Sequence, residues 1–146
     1  MAVLADIVIV SGAVELPARL ADTATARVIA NALPLYLTAI FWGRMIQLET
    51  PLDAYRDPTA TRVAELGQIL WAPEAQTILI PYGLTPISHG GEIRLIEPSN
   101  VWAQVLEDVQ RLREVHDGAK VTIARFGMAH ADDAAHKGKP RGRWRG

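Results

Sequence analysis

The amino-acid sequence predicts a mainly β fold, a closed barrel of about eight strands capped by two short α-helices. Three observations carry this expectation. Gly67–Ser88 (GQILWAPEAQTILIPYGLTPIS) holds two apolar strand-like runs, broken at Pro73 and ended by a Tyr82-Gly83-x-Thr85-Pro86 turn. Upstream, Trp42-Gly43 separates another pair of strand-like runs. Downstream, a strand, a short helix and a last strand follow one another up to Arg125. Many short strands that must pair non-locally favour closure, because a closed barrel leaves no exposed edge.

The elements follow in order. Leu4–Val10 alternates as a strand does, Ser11-Gly12 supplies a turn, and Ala13–Leu20 completes a hairpin with Val14 and Leu16 on one face. Asp22 or Thr23 can cap a helix over Thr25–Ala32, where Ala26, Ile29, Ala30 and Leu33 recur at helical spacing and Pro34 closes the run. Leu35–Phe41 and Arg44–Thr50 read as strands about Trp42-Gly43, ended by Pro51. Residues 52–61 read as a loop, and Val63-Ala64 begins a short segment leading to Gly67. Gln68–Ala72 and Gln76–Tyr82 are the central strands, and Gly83–Glu92, with Pro86, Gly90 and Gly91, is an irregular loop. Ile93–Ile96 and Asn100–Leu106 read as separate strands about a Pro98-Ser99 turn. Glu107–Val115 reads as an amphipathic helix, and Asp117-Gly118 turns the chain into Lys120–Arg125.

At 146 residues the chain has the length of one domain, and 49% hydrophobic with 21% charged residues is a globular composition. The boundary falls at residue 126. Residues 1–126 form the barrel domain, and 127–146 form a basic tail rich in Gly and Arg. That tail sets Lys137, Lys139, Arg141, Arg143 and Arg145 against Asp132 and Asp133, while the whole chain carries −1. A near-neutral chain has no general attraction to nucleic acid, and the tail reads as a solvated or partner-ordered extension. The opening MAVLADIVIV carries Asp6 and no basic residue, so it reads as a strand and not as a signal peptide. No apolar run reaches the roughly 18–20 residues that span a bilayer. A soluble, cytoplasmic protein without membrane partners is the expectation. Absence of cysteine excludes disulfides, thiolate metal sites and cysteine nucleophiles. His89, His116, His130 and His136 lack metal-binding spacing, and neither a P-loop nor a dinucleotide fingerprint occurs, so neither metal nor cofactor is expected.

The order of these motifs resembles a known group. A hairpin, a helix ending in Leu33-Pro34, a Trp42-Gly43 strand pair, Gly67 with Pro73, Tyr82-Gly83-x-Thr85-Pro86, Asn100-Val101 and a helix ending at Asp117-Gly118 together resemble the uncharacterised prokaryotic cyclophilin-like family over about residues 3–126. Ile80-Pro81-Tyr82-Gly83 is similar to a second group of bacterial cyclophilin-like domains. The chain departs from the family pattern at Arg44 and Met45, where the family is acidic, at Gln47 in place of an aromatic, and at Gln68 in place of Asp. The resemblance implies the eight-stranded barrel with two helices and lends no settled activity. The wider cyclophilins are peptidyl-prolyl isomerases with an arginine on a barrel strand, and Phe41-Trp42-Gly43-Arg44 with Gln47 resembles that strand.

The residues themselves nominate a pocket at one end of the barrel. Trp42, Trp71, Tyr82 and Trp102 are large amphipathic rings suited to pocket walls or to plain core. Arg44, two residues after Trp42, is expected on the same strand face as Ile46 and Leu48, where it would hold a carboxylate or an amide oxygen. Thr85, Ser88, His89, Glu92 and Arg94 gather on one loop, where binding and catalytic groups concentrate on rigid scaffolds. An imidazole, with an ordinary pKa of about 6.5, passes protons both ways near neutrality, so His89 with Glu92 is the candidate acid–base pair. Glu97 and Asn100 could complete the site. Trp42, Arg44, Trp71, Tyr82, Thr85 and Arg94 are the candidate ligand contacts. The expected function is binding, or isomerase- or hydrolase-type action on, a compact anionic or amide-bearing metabolite. The alternatives are a prolyl isomerase or proline-peptide binder, and a subunit of a larger complex or homo-oligomer that uses the tail.

Overall fold

The computed structural model describes residues 4–127. Its elements are β1 (Ile7–Ser11), β2 (Val14–Leu20), α1 (Ala24–Ala32), β3 (Leu35–Phe41), β4 (Met45–Glu49), β5 (Thr61–Ala64), β6 (Gln68–Ala72), β7 (Thr77–Pro81), β8 (Ile93–Val105), a 3-10 helix (Val109–Glu114) and β9 (Lys120–Arg125). The hydrogen-bonded strand order is β2-β1-β9-β3-β4-β7-β6-β8-β5, and β2 also pairs with β8. The order therefore returns on itself as a ring of every strand but β5, and β5 flanks β8. The neighbouring pairs are antiparallel, with Ile7 opposite Ala18, Leu48 opposite Ala39 and Ile46 opposite Ile80 among the registers.

Period-2 alternation decides which residues fill the ring. One buried cluster gathers alternate residues of all the ring strands, among them Ile9, Leu16, Leu37, Ile46, Leu48, Ile69, Trp71, Ile78, Ile80, Trp102 and Ile123. A second cluster lies on the opposite face of β4, β6 and β7, formed by Met45, Leu70, Ala72, Leu79, Ile93 and Leu95 with Ala64. Trp42 and Val101 pack against it. Ala26 and Ile29 turn α1 into the first cluster, as the helical spacing predicts. Thr23, not Asp22, caps that helix, and its side chain accepts the Ala26 N–H. Asp22 instead pairs with Arg27.

Three expectations are corrected. The second helix is a 3-10 turn of six residues and not an α-helix; Asp108 caps it at the Gln110 N–H, and the chain must turn at Asp117-Gly118 soon after. So short a segment gains little from α-helical bonding. The predicted strands Ile93–Ile96 and Asn100–Leu106 are one strand, β8, that runs through Pro98. It can do so because the β5–β8 register shifts between Thr61 and Val63 at that point, so the missing proline N–H costs no ladder bond. The strand that makes this pairing is Thr61–Ala64, which takes in the last residue of the expected 52–61 loop and the start of the short segment expected from Val63-Ala64.

No helix of the described residues is long and apolar enough to cross a membrane. The basic tail from residue 128 onward, with His130 and His136, lies outside the described residues.

Candidate functional site

The candidate site lies on the outward face of β4 and β7. Met45, Gln47 and Glu49 alternate along β4, and Leu79 and Thr77 stand opposite Gln47 and Glu49 on β7. These residues, with Trp42, Ala72, Ala75, Ile96 and Glu97, line a pocket of about 190 Å³. Its two ends differ. Trp42, Met45 and Leu79 form an apolar end, and Glu49, Thr77, Ala75 and Glu97 form a polar one. Gln47 sits between, half-buried, and no described residue hydrogen-bonds its amide.

Each wall is fixed by local structure. Trp42 and Met45 flank a two-residue turn, Gly43-Arg44, and exchange backbone bonds of 2.9 and 3.2 Å, so both side chains point to the same face. Gly43 has φ of +60°, and a β-carbon there would lie 2.8 Å from the Leu84 carbonyl oxygen and from Pro86 Cδ. Glycine is thus required both by the turn and by the loop that packs on it. Both oxygens of Glu97 accept backbone N–H groups, from Glu74 and Ala75 at 3.1 Å each, which orients its carboxylate beside the β6–β7 turn. The Thr77 hydroxyl donates to the Ala75 carbonyl at 2.8 Å.

A larger hollow of about 630 Å³ lies between α1 and residues 53–57, walled by Thr25, Val28, Tyr55 and Pro73 among others. Several of its polar groups are already engaged: Arg56 pairs with Glu74, and Asp53 accepts from Gln76. Asn100, fully buried, donates to Thr25 Oγ1 and the Tyr55 carbonyl and accepts the Asp57 N–H. Gln47, Glu49, Thr77 and Glu97 converge on the smaller pocket beside the buried Met45 and Leu79. Convergent polar groups on an apolar wall are the usual mark of a small-molecule site.

The match of the cyclophilin-like family model spans residues 5–124. The chain belongs to the cyclophilin-like family. Among solved structures, a hypothetical protein from Archaeoglobus fulgidus is 28% identical with a TM-score of 0.70, over 83% of this chain and 95% of that one. McbB in complex with tryptophan shares the fold at 14% identity and a TM-score of 0.61, over 83% of this chain and 45% of that one. No curated protein matches the chain.

This cyclophilin-like chain distributes the sequence-predicted residues over several environments. Trp42 lines the pocket. Arg44 is exposed, and its stem lies over Gly83, where a β-carbon would meet Arg44 Cβ at 2.7 Å. Trp71 is wholly buried in the first cluster and donates from Nε1 to the Ala54 carbonyl at 3.0 Å. Trp102 is equally buried, and its Nε1 has no protein partner among the described residues. Tyr82 closes the same cluster, edge-on to Phe41 at 6.2 Å between centroids, and its carbonyl accepts Gln110 Nε2. Thr85 and Ser88 bond each other and the Arg94 backbone, while the buried Arg94 Nε has no partner among the described residues. The Thr85 hydroxyl donates to the Arg94 carbonyl at 2.6 Å, and Ser88 Oγ accepts the Thr85 and Arg94 N–H groups. His89 and Glu92 are exposed at the loop tip, and Glu92 pairs with Arg94 at 2.9 Å.

The structure therefore unites Trp42 and Glu97 but not the arginines, Tyr82 or His89. Sequence reasoning missed Met45, Glu49, Thr77 and Leu79 as pocket residues. Their signal was present: they occupy alternate positions out of phase with Ile46, Leu48, Ile78 and Ile80. Among the described residues no group of three or more His, Asp or Glu could hold a metal ion.

Proposed function

We propose that this protein is a small-molecule-binding member of its family and that its ligand is a compact, amide-bearing metabolite. The ring of strands is taken as a closed barrel with a filled interior, so the ligand sits on the outward face of β4 and β7. One observation carries the reading: a pocket of about 190 Å³ brings an indole, two apolar side chains and the unpaired Gln47 amide together. That volume lies below the roughly 300–1,000 Å³ of drug-sized sites, which is why the ligand is compact. Trp42, Met45 and Leu79 receive its apolar body, and Gln47 pairs with its amide. The prolyl-isomerase alternative has less support, because the charged residues lining this pocket are Glu49 and Glu97 and no arginine is among them.

Titration of the ¹⁵N-labelled full chain with butyramide tests the reading. Saturable shifts of the Trp42 indole N–H and the Gln47 side-chain amide are expected, weakened several-fold in Gln47→Ala. Shifts that leave Trp42 and Gln47 unmoved at saturating amide would overturn it.

A further inference from the structure

We propose that the pocket selects cations: its amide-bearing ligand also carries a primary ammonium, and a compact ammonium with a short apolar body is taken in preference to its neutral or anionic analogues. The proposal rests on the pocket reading above and names its ligand class. The polar end of the pocket presents acceptors almost exclusively. Glu49 and Glu97 supply carboxylates, and the Thr77 hydroxyl proton is committed to the Ala75 carbonyl, so only its oxygen lone pairs remain. An ammonium group is the complementary partner, having three donors and no acceptor. A carboxylate ligand finds the reverse, since only the Gln47 amide N–H and the Trp42 indole N–H, both away from the polar end, could donate to it.

Charge points the same way. Among the described residues the ion pairs are Arg27–Asp22, Arg56–Glu74 and Arg94–Glu92, and none neutralises Glu49 or Glu97. The two carboxylates thus stand at one end of the pocket without a cation among the lining residues, which raises the local cation concentration and repels anions. Glu97 is held in place by two backbone N–H groups, so its oxygens are oriented before any ligand arrives.

Three four-carbon probes decide the matter: n-butylammonium chloride, butyramide and sodium butyrate, titrated into the ¹⁵N-labelled full chain at constant ionic strength. The Trp42 indole and Gln47 amide signals report binding. The ammonium is expected to bind about tenfold tighter than the amide, as a charge-assisted bond would give. Butyrate is expected to leave both signals in place. In Glu49→Gln/Glu97→Gln the preference for the ammonium falls to less than about twofold while butyramide still binds, by the same arithmetic. Glu49→Gln alone, at an exposed residue without a structural bond, gives a partial loss and guards against misfolding of the double variant. Equal affinity of ammonium and amide in the native chain would overturn the cation preference and leave the pocket reading standing. So would a preference that persists in the double variant. Silence of Trp42 and Gln47 to all three probes would overturn both.

Discussion

Asn100 is the side chain whose removal tests most directly how the core holds the irregular segment between β4 and β5. Its amide donates to Thr25 Oγ1 at 2.9 Å and to the Tyr55 carbonyl at 2.8 Å, and accepts the Asp57 N–H at 2.8 Å. Two further core side chains join it on the same segment. Trp71 Nε1 bonds the Ala54 carbonyl, and Gln76 Nε2 bonds the Leu52 carbonyl and Asp53. Asn100→Ala leaves three groups without their partner, and at about 1 kcal/mol net for each bond the loss is about 3 kcal/mol. For a chain of this length that lowers the melting temperature by roughly 6–12 °C. Urea unfolding followed by circular dichroism gives the free energy, and amide hydrogen exchange gives its location, with Ala54–Asp57 expected to lose protection first. A loss below about 1 kcal/mol, with exchange of that segment unchanged, would refute the claim that Asn100 anchors it. Tyr55→Ala is the matched control. Its ring is 95% exposed, so a change within about 0.5 kcal/mol is expected although its carbonyl is one of the three bonded groups.

Gly43→Ala combines a positive φ with a contact 2.8 Å from backbone oxygen, and a destabilisation of about 2 kcal/mol or more is expected in chemical denaturation. A neutral result would mean that the loop on Gly43 does not pack closely. Arg44→Ala is expected to leave butyramide affinity within about twofold, because the side chain is exposed and is not among the pocket residues. A tenfold loss by the same titration would return Arg44 to the site. His89→Ala, at an exposed loop tip, is expected to change stability by no more than about 0.5 kcal/mol and to leave all three probe affinities as they were.

Strand phase explains both what the sequence disclosed and what it hid. Ile46 and Leu48 against Met45, Gln47 and Glu49 is an alternation visible in the sequence, and the structure turns the first pair inward. Extending that phase back to Arg44 and Trp42 placed both on the inner face, and there the inference failed. The two-residue turn at Gly43-Arg44 ends the strand at Met45, so Trp42 faces with its cross-turn partner Met45 and not with Ile46. Proline misled in a similar way. Pro98 looked like a break, yet a register shift in the β5 pairing lets the strand pass through it. The polar loop of Thr85, Ser88 and Arg94 was conspicuous for its chemistry, but spacing does not reveal that the two hydroxyls would be consumed by each other and by the Arg94 backbone.

That consumption gives the loop its part in the site. Ser88 Oγ gathers the Thr85 and Arg94 N–H groups, and the Thr85 hydroxyl ties the loop to the Arg94 carbonyl on β8. The same loop bonds the 42–44 turn from the other side, with the Leu84 carbonyl accepting the Arg44 N–H at 2.9 Å. The turn is therefore held between β4 and a loop that is itself fastened to β8, and Trp42 stands on that turn. Trp71, Trp102 and aliphatic side chains fill the first cluster, and the pocket of the proposed reading lies on the opposite face of β4 and β7. On this geometry the loop places the aromatic wall of the pocket through backbone bonds, while His89 and Glu92 at its exposed tip stay clear of it.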